Sequence, residues 1–186
     1  MKFSEKKAAQ VAAFFLYRAK GELEILKLMK LMYLAERTSY QKFGEPLIGD
    51  KLVSMDNGPV LSITLNHMNR FLASEQDGWE NWITDRKDYF LGLKREVKDP
   101  KEDLLQLSDA ELDMLESVWQ QYGHLGSFQL AELTHKICPE WEDPHGSSLP
   151  ITRSRLLRSL GFDPEAAKDL EDRIEANRRI DLAFQK

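Results

Sequence analysis

The sequence predicts a mainly α, compact helical domain of about seven helices with one small two-stranded β ribbon. Three observations carry that reading. Apolar residues recur at helical spacing through most long segments. Glycine and proline clusters punctuate those segments. Only two short runs, Leu52–Met55 and Tyr89–Leu93, carry the β-branched or aromatic character of strands.

The first helix starts at Glu5, with Ser4 as cap, and runs to about Lys20. Ala8, Val11, Ala12, Phe15 and Ala19 fall on one face, and Gly21 ends it. The second spans Glu22 to about Gln41 and is apolar around most of its circumference, which makes it the central helix. Gly44-Glu45-Pro46 breaks it. After the strand at Leu52–Met55, Asp56-Asn57-Gly58-Pro59 reads as a structural turn, with Pro59 in the first turn of a third helix reaching Ala73. The strand at Tyr89–Leu93 is expected to pair with Leu52–Met55. Glu96–Gln106 reads as a charged linker. Ser108 and Glu111 form a capping box for the next helix, whose core face is Leu112, Leu115, Val118, Trp119 and Tyr122. Ser127 caps a helix that stops before Pro139, Thr152 caps a short basic helix, and Asp163-Pro164-Glu165 opens the last one. Residues 1–162 form one domain in this reading, and residues 163–186 are a C-terminal helix packed on it or extending from it.

Composition excludes several classes of function. Twenty-six Lys and Arg against 31 Asp and Glu leave a net charge of −5, which argues against bulk nucleic-acid binding. A single cysteine, Cys138, forms no internal disulfide. The N-terminus lacks a signal-peptide pattern, and the most apolar stretch, Leu23–Ala35, is broken by Lys27 and Lys30, so the expected location is the cytoplasm with no membrane association. His124, His135, Cys138 and His145 are the one metal-like set, but zinc sites use two close pairs and only His135-x2-Cys138 is close; no metal and no cofactor are expected. No nucleophile elbow, phosphate loop or metalloprotease motif is present, so the chain reads as a binding protein and no catalytic residue is assigned.

Lys30, Tyr33 and Arg37, with Lys27, line one side of the second helix as a basic-aromatic stripe, and Trp141 adds an aromatic near a loop. We expect Lys30, Tyr33, Arg37 and Trp141 to contact a partner, because interface energy concentrates in aromatic and arginine anchors. The same stripe also reads as the wet face such a helix needs. Arg153, Arg155 and Arg158 form a second basic cluster with the same two readings. Trp79 and Trp82 read as loop-side contact anchors or as edge-of-core residues.

Three runs together resemble a known family: Leu28-Met29-Lys30-Leu31-Met32-Tyr33-Leu34-Ala35-Glu36, then Gly44-Glu45-Pro46-Leu47, then Met55-Asp56-Asn57-Gly58-Pro59-Val60. They resemble the signature of the Panacea domain of SocA-type antitoxins and phage-associated proteins. Leu133-Thr134-His135-Lys136 and Pro139-Glu140-Trp141 resemble its later element, and the resemblance covers about Val11 to Leu160. It implies a bacterial or prophage antitoxin that neutralises a protein toxin encoded nearby by direct binding, with Asn57, Gly58, Pro59 and His135 as structural motif positions. An adaptor that delivers the toxin to a protease, or a DNA-binding autorepressor, is the alternative.

Overall fold

Two helices share the centre of the computed structural model, which describes residues 2–184. Helix α1 (Glu5–Arg18) is capped by Ser4, whose side chain accepts from the Lys7 amide, and it buries an unbroken run from Ala8 to Leu16. A single apolar face was expected; four alanines instead let neighbours approach from every side, so α1 is as internal as the second helix. Helix α2 (Ile25–Phe43) ends at Gly44, which turns left-handed at φ 68 and donates to Tyr40 O.

The expected helical start at Glu22 is a strand. Residues Glu22–Glu24 form β1, paired antiparallel with β4 (Phe90–Gly92), and the Ile25 amide donates to Tyr89 O at 2.8 Å. Gly21, at φ 126, makes the sharp entry possible. The expected pairing of Leu52–Met55 with Tyr89–Leu93 therefore does not form. Strand β2 (Leu52–Met55) instead folds back on β3 (Gly58–Leu61) and also pairs with β5 (Leu149–Pro150), giving a three-stranded sheet in the order β3-β2-β5. Two small sheets replace the single ribbon.

Pro59 sits in β3, not in a helix. Strand β3 is a sheet edge, where a residue without an N–H costs no ladder bond. Helix α3 is consequently short (Ser62–Met68), and its cap comes from a residue twelve positions earlier than Ser62. Asp50 accepts from the amides of Ile63 and Thr64, both at 2.8 Å, and from Thr64 Oγ1 at 2.6 Å.

The segment 74–82 is tied down by a carboxylate from α1. Glu5 accepts from Ser74 Oγ and from the amides of Glu75 and Trp79, closing a short helix α4 (Trp79–Trp82) in which both tryptophans are buried. The expected charged linker holds a single helical turn, α5 (Pro100–Asp103), and buries Val97 and Leu104, with Leu107 buried just beyond it. Helix α6 (Asp109–Tyr122) carries the capping box of Ser108 and Glu111. Helix α7 (Ser127–Ile137) is capped at Gly126, not Ser127; the Ser127 hydroxyl donates to Glu24 Oε2 at 2.5 Å. Helices α8 (Arg153–Ser159) and α9 (Pro164–Phe184) pack on each other, and Ala167, Leu170 and Ile174 join the core. The mainly α class holds, with nine helices among the described residues.

One core group makes the fold sensitive to pH. Glu36 is buried in α2 and accepts from the amides of Ile48 and Gly49 at 2.8 and 3.2 Å. Burial pushes its carboxyl up to about 7, against the pull of those amides. A folded-state value above the ordinary 4.5 means the folded chain holds a proton that the unfolded chain has released. This contribution is complete below 4.5 and is lost as the pH rises through about 7. Glu36→Gln removes the titration, so its stability relative to wild type should rise by ~3 kcal/mol between the two ends of that window. Urea unfolding of both chains at acid and at mildly alkaline pH checks it; parallel pH profiles would refute the assignment.

Candidate functional site

The side of α2 that carries Lys30, Tyr33 and Arg37 faces the protein, not water. Lys30 and Tyr33 are each 0% exposed, and 17% of the Arg37 side chain remains accessible. Neither the expected partner-facing stripe nor a wet face is formed by the first two. Each meets a specific acceptor. Lys30 Nζ donates to Pro59 O at 2.8 Å, satisfying the outer carbonyl of edge strand β3 where a further strand is missing. Tyr33 OH and Arg37 Nε both donate to Glu140 Oε1 at 2.9 Å. Ser159 Oγ, on α8, donates to Glu140 Oε2 at 2.7 Å. Glu140 is 0% exposed, so one buried carboxylate with three donors fastens α2 to α8.

The turn after α7 closes over the hairpin. Trp141 Nε1 donates to Met55 O at 2.9 Å, and its ring stacks on His135 at 4.1 Å between centroids. His135 lies against Gly58, whose φ is +96. The remaining turn residues, Asn57 and Asp56, are exposed at the hairpin tip. The turn is present as expected, but it joins two strands.

Burial sets the protonation of this cluster. It pulls the Lys30 ammonium down to about 7 and pushes the Cys138 thiol up to about 12. It also lowers the His135 imidazolium, with the Lys30 charge acting in the same direction. His135 Nε2 is buried with no hydrogen-bond partner among the described residues. Cys138 is thus a buried thiol and not a thiolate nucleophile at neutral pH. Among the described residues, His124, His135, Cys138 and His145 are not gathered into a group able to hold a metal. The second basic cluster is engaged locally: Arg155 pairs with Glu142 at 2.5 Å, Arg153 reaches Tyr40 OH at 3.4 Å, and Arg158 bonds Ser154 O. Trp79 and Trp82 are edge-of-core residues at 4% and 3% exposure.

Beside this sealed cluster lies an open groove of about 710 Å³. Its floor is Ile25, Leu26 and Met29 of α2, Met55 and Val60 of the hairpin, and Leu65 of α3. Three aromatics stand at its rim: Phe128 at 74% exposure, Tyr89 at 70% and Phe90 at 41%. Solvated aromatics in one place are unusual on a soluble surface and mark interaction sites. Its volume falls within the range of roughly 300–1,000 Å³ typical of ligand pockets. The sequence reading missed both this groove and Glu140. The first signal available was Phe128, an aromatic at an otherwise polar helix start.

Fold and site together define a mainly helical scaffold that presents an apolar groove over a sealed polar cluster. The chain belongs to the antitoxin SocA-like, Panacea domain family, whose model matches residues 28–142, more than half of the chain. The match begins in α2 and ends just past Trp141, so it contains Lys30, Tyr33, Arg37, Asn57, Gly58, Pro59, His135 and Trp141, while α1, α8 and α9 lie outside it. A toxin–antitoxin-related role follows from the family. Comparison with curated proteins and with solved structures returned no match. No helix among the described residues is long and apolar enough to cross a membrane.

Proposed function

We propose that this protein is a bacterial or prophage antitoxin that neutralises a toxin encoded nearby by binding it directly in the cytoplasm. The observation that carries the reading is the family match over a domain that leaves three aromatics solvated around one groove. A buried network holds the matched residues rigid, and rigidity lowers the entropy cost of binding. Residues 1–162 act as the antitoxin domain in this proposal, with residues 163–186 as a helical extension. Of the four residues first assigned to the partner face, Arg37 and Trp141 keep accessible surface for contact, and Lys30 and Tyr33 support them from below. The role is binding, with no catalytic step and no cofactor.

Co-expression with each neighbouring reading frame, scored for growth, tests this. The toxic frame should be rescued by the chain in cis and in trans. The toxin's level separates the two finer mechanisms: an unchanged level means blocking, and a level that falls with this chain present means delivery to a protease. A toxic neighbour that this chain never rescues overturns the reading.

A further inference from the structure

We propose that the groove between α2, the β2–β3 hairpin and the Tyr89–Phe90 segment is the docking surface for a partner segment that is apolar and carries lysine or arginine. This rests on the binding role proposed above and names the surface and the chemistry of what it takes.

The apolar half of the argument is the floor and the rim. Met55, part-buried at the floor, is a flexible, polarisable side chain that adapts to an incoming chain, a common use of methionine at binding surfaces, while Met29 is a fixed base beneath it, 2% exposed and accepting from the Leu61 amide. Phe128 and Tyr89 stand mostly in water. A segment laid across the floor would bury them together, and the gain grows with the apolar area covered.

The charged half comes from two carboxylates at the mouth. Glu24 precedes α2 and Asp56 is at the hairpin tip, and both line the groove. Glu24 accepts from the Ser127 hydroxyl and Asp56 from the Gly146 amide, but neither forms an ion pair among the described residues. The guanidinium at the opposite rim, Arg86, is already committed: it bonds Asp88 O and Asn69 Oδ1 and lies over the Tyr89 ring at 5.5 Å. Lys30 is sealed beneath the floor with Pro59 O. Any chain that covers this mouth strips water from Glu24 and Asp56. That desolvation is unfavourable unless the incoming segment supplies cations to them. An acidic or a purely apolar segment leaves Asp56 without a cation and Glu24 with only the Lys27 charge, which acts on it from beyond ion-pair distance while Lys27 Nζ is held by Gly123 O, so the rim selects a basic one.

The probe is a fluorescent amphipathic peptide of about 15 residues built from leucine and lysine at helical spacing, titrated into the full chain. Its counterpart has glutamate at every lysine. The lysine peptide should bind, and bind about tenfold more tightly than the glutamate peptide. Phe128→Asp, on an exposed side chain that leaves the core untouched, should weaken it by about tenfold or more with an unchanged melting temperature. Glu24→Gln keeps an acceptor for Ser127 and should weaken it about threefold, with a shallower salt dependence. No binding of the lysine peptide, equal binding of the two peptides, or binding indifferent to Phe128→Asp overturns the proposal. Growth rescue is scored separately: rescue by the Phe128→Asp chain with full toxin binding would remove the groove and leave neutralisation standing, whereas failure of the wild-type chain to rescue removes the antitoxin reading itself.

Discussion

Glu140→Ala should lose ~3–5 kcal/mol of stability, the usual cost of removing one partner from a buried charged network. At this chain length that corresponds to a fall in melting temperature on the order of 10 °C. The loss is large because two donors are stranded at once and a third keeps only Leu156 O of its own helix. Arg37 keeps a charge on a mostly buried side chain, Tyr33 keeps a hydroxyl with no access to water, and Ser159 loses the contact that anchors α8. Glu140→Gln keeps the amide oxygen available to Tyr33 and Arg37 but drops the charge, so it should lie between Ala and wild type. Thermal melts and urea unfolding of the three chains check the order. If Glu140→Ala melted with wild type, the network would be ornamental and the link between α2 and α8 would have to come from apolar packing alone.

This carboxylate also shows where sequence reasoning stops. Periodicity exposes what is local. The capping box at Ser108 and Glu111, the stop at Gly44 and the leucine-rich face of α2 each depend on residues within a few positions, and each forms as read. Glu140 sits between a proline and a tryptophan in an apparent loop, where an acidic residue normally means solvent. Its donors come from α2, over 100 positions earlier, and from α8, 19 positions later, so nothing local marks it as buried. The same physics misplaced Lys30 and Tyr33. A lysine at helical spacing reads as a wet face until a sheet edge without a neighbouring strand is known to need a donor. Strand partners failed for a related reason: β1 and β4 are separated by α2, the β2–β3 hairpin, α3 and α4, and period-2 patterning says nothing about which strand lies alongside. Pro59 was read as a helix start because the rule that tolerates proline in a strand applies to edges, and edges are defined by topology.

Gly58→Val should cost ~2–4 kcal/mol, because two penalties coincide at one position. The backbone there has φ +96, a conformation that L side chains rarely adopt. A Cβ would also stand 2.7 Å from Thr134 Oγ1, 3.0 Å from Lys30 Nζ and 3.2 Å from His135 Cδ2. None of these neighbours has room to move. Thr134 is buried and donates to Ala131 O, Lys30 is held by Pro59 O, and His135 is stacked on Trp141. The expected result is a joint loss of melting temperature and growth rescue. A double-mutant cycle separates the two penalties: Thr134→Ala removes the closest atom but leaves the backbone strain, so it should recover part of the Gly58→Val loss and not all of it. Full recovery would mean that crowding alone explains the glycine. A Gly58→Val chain that melts like wild type yet no longer rescues growth would mean that the hairpin turn itself touches the toxin. The partner surface would then run from the groove across the hairpin tip, with Gly58 kept bare for the partner's approach and not for the fold.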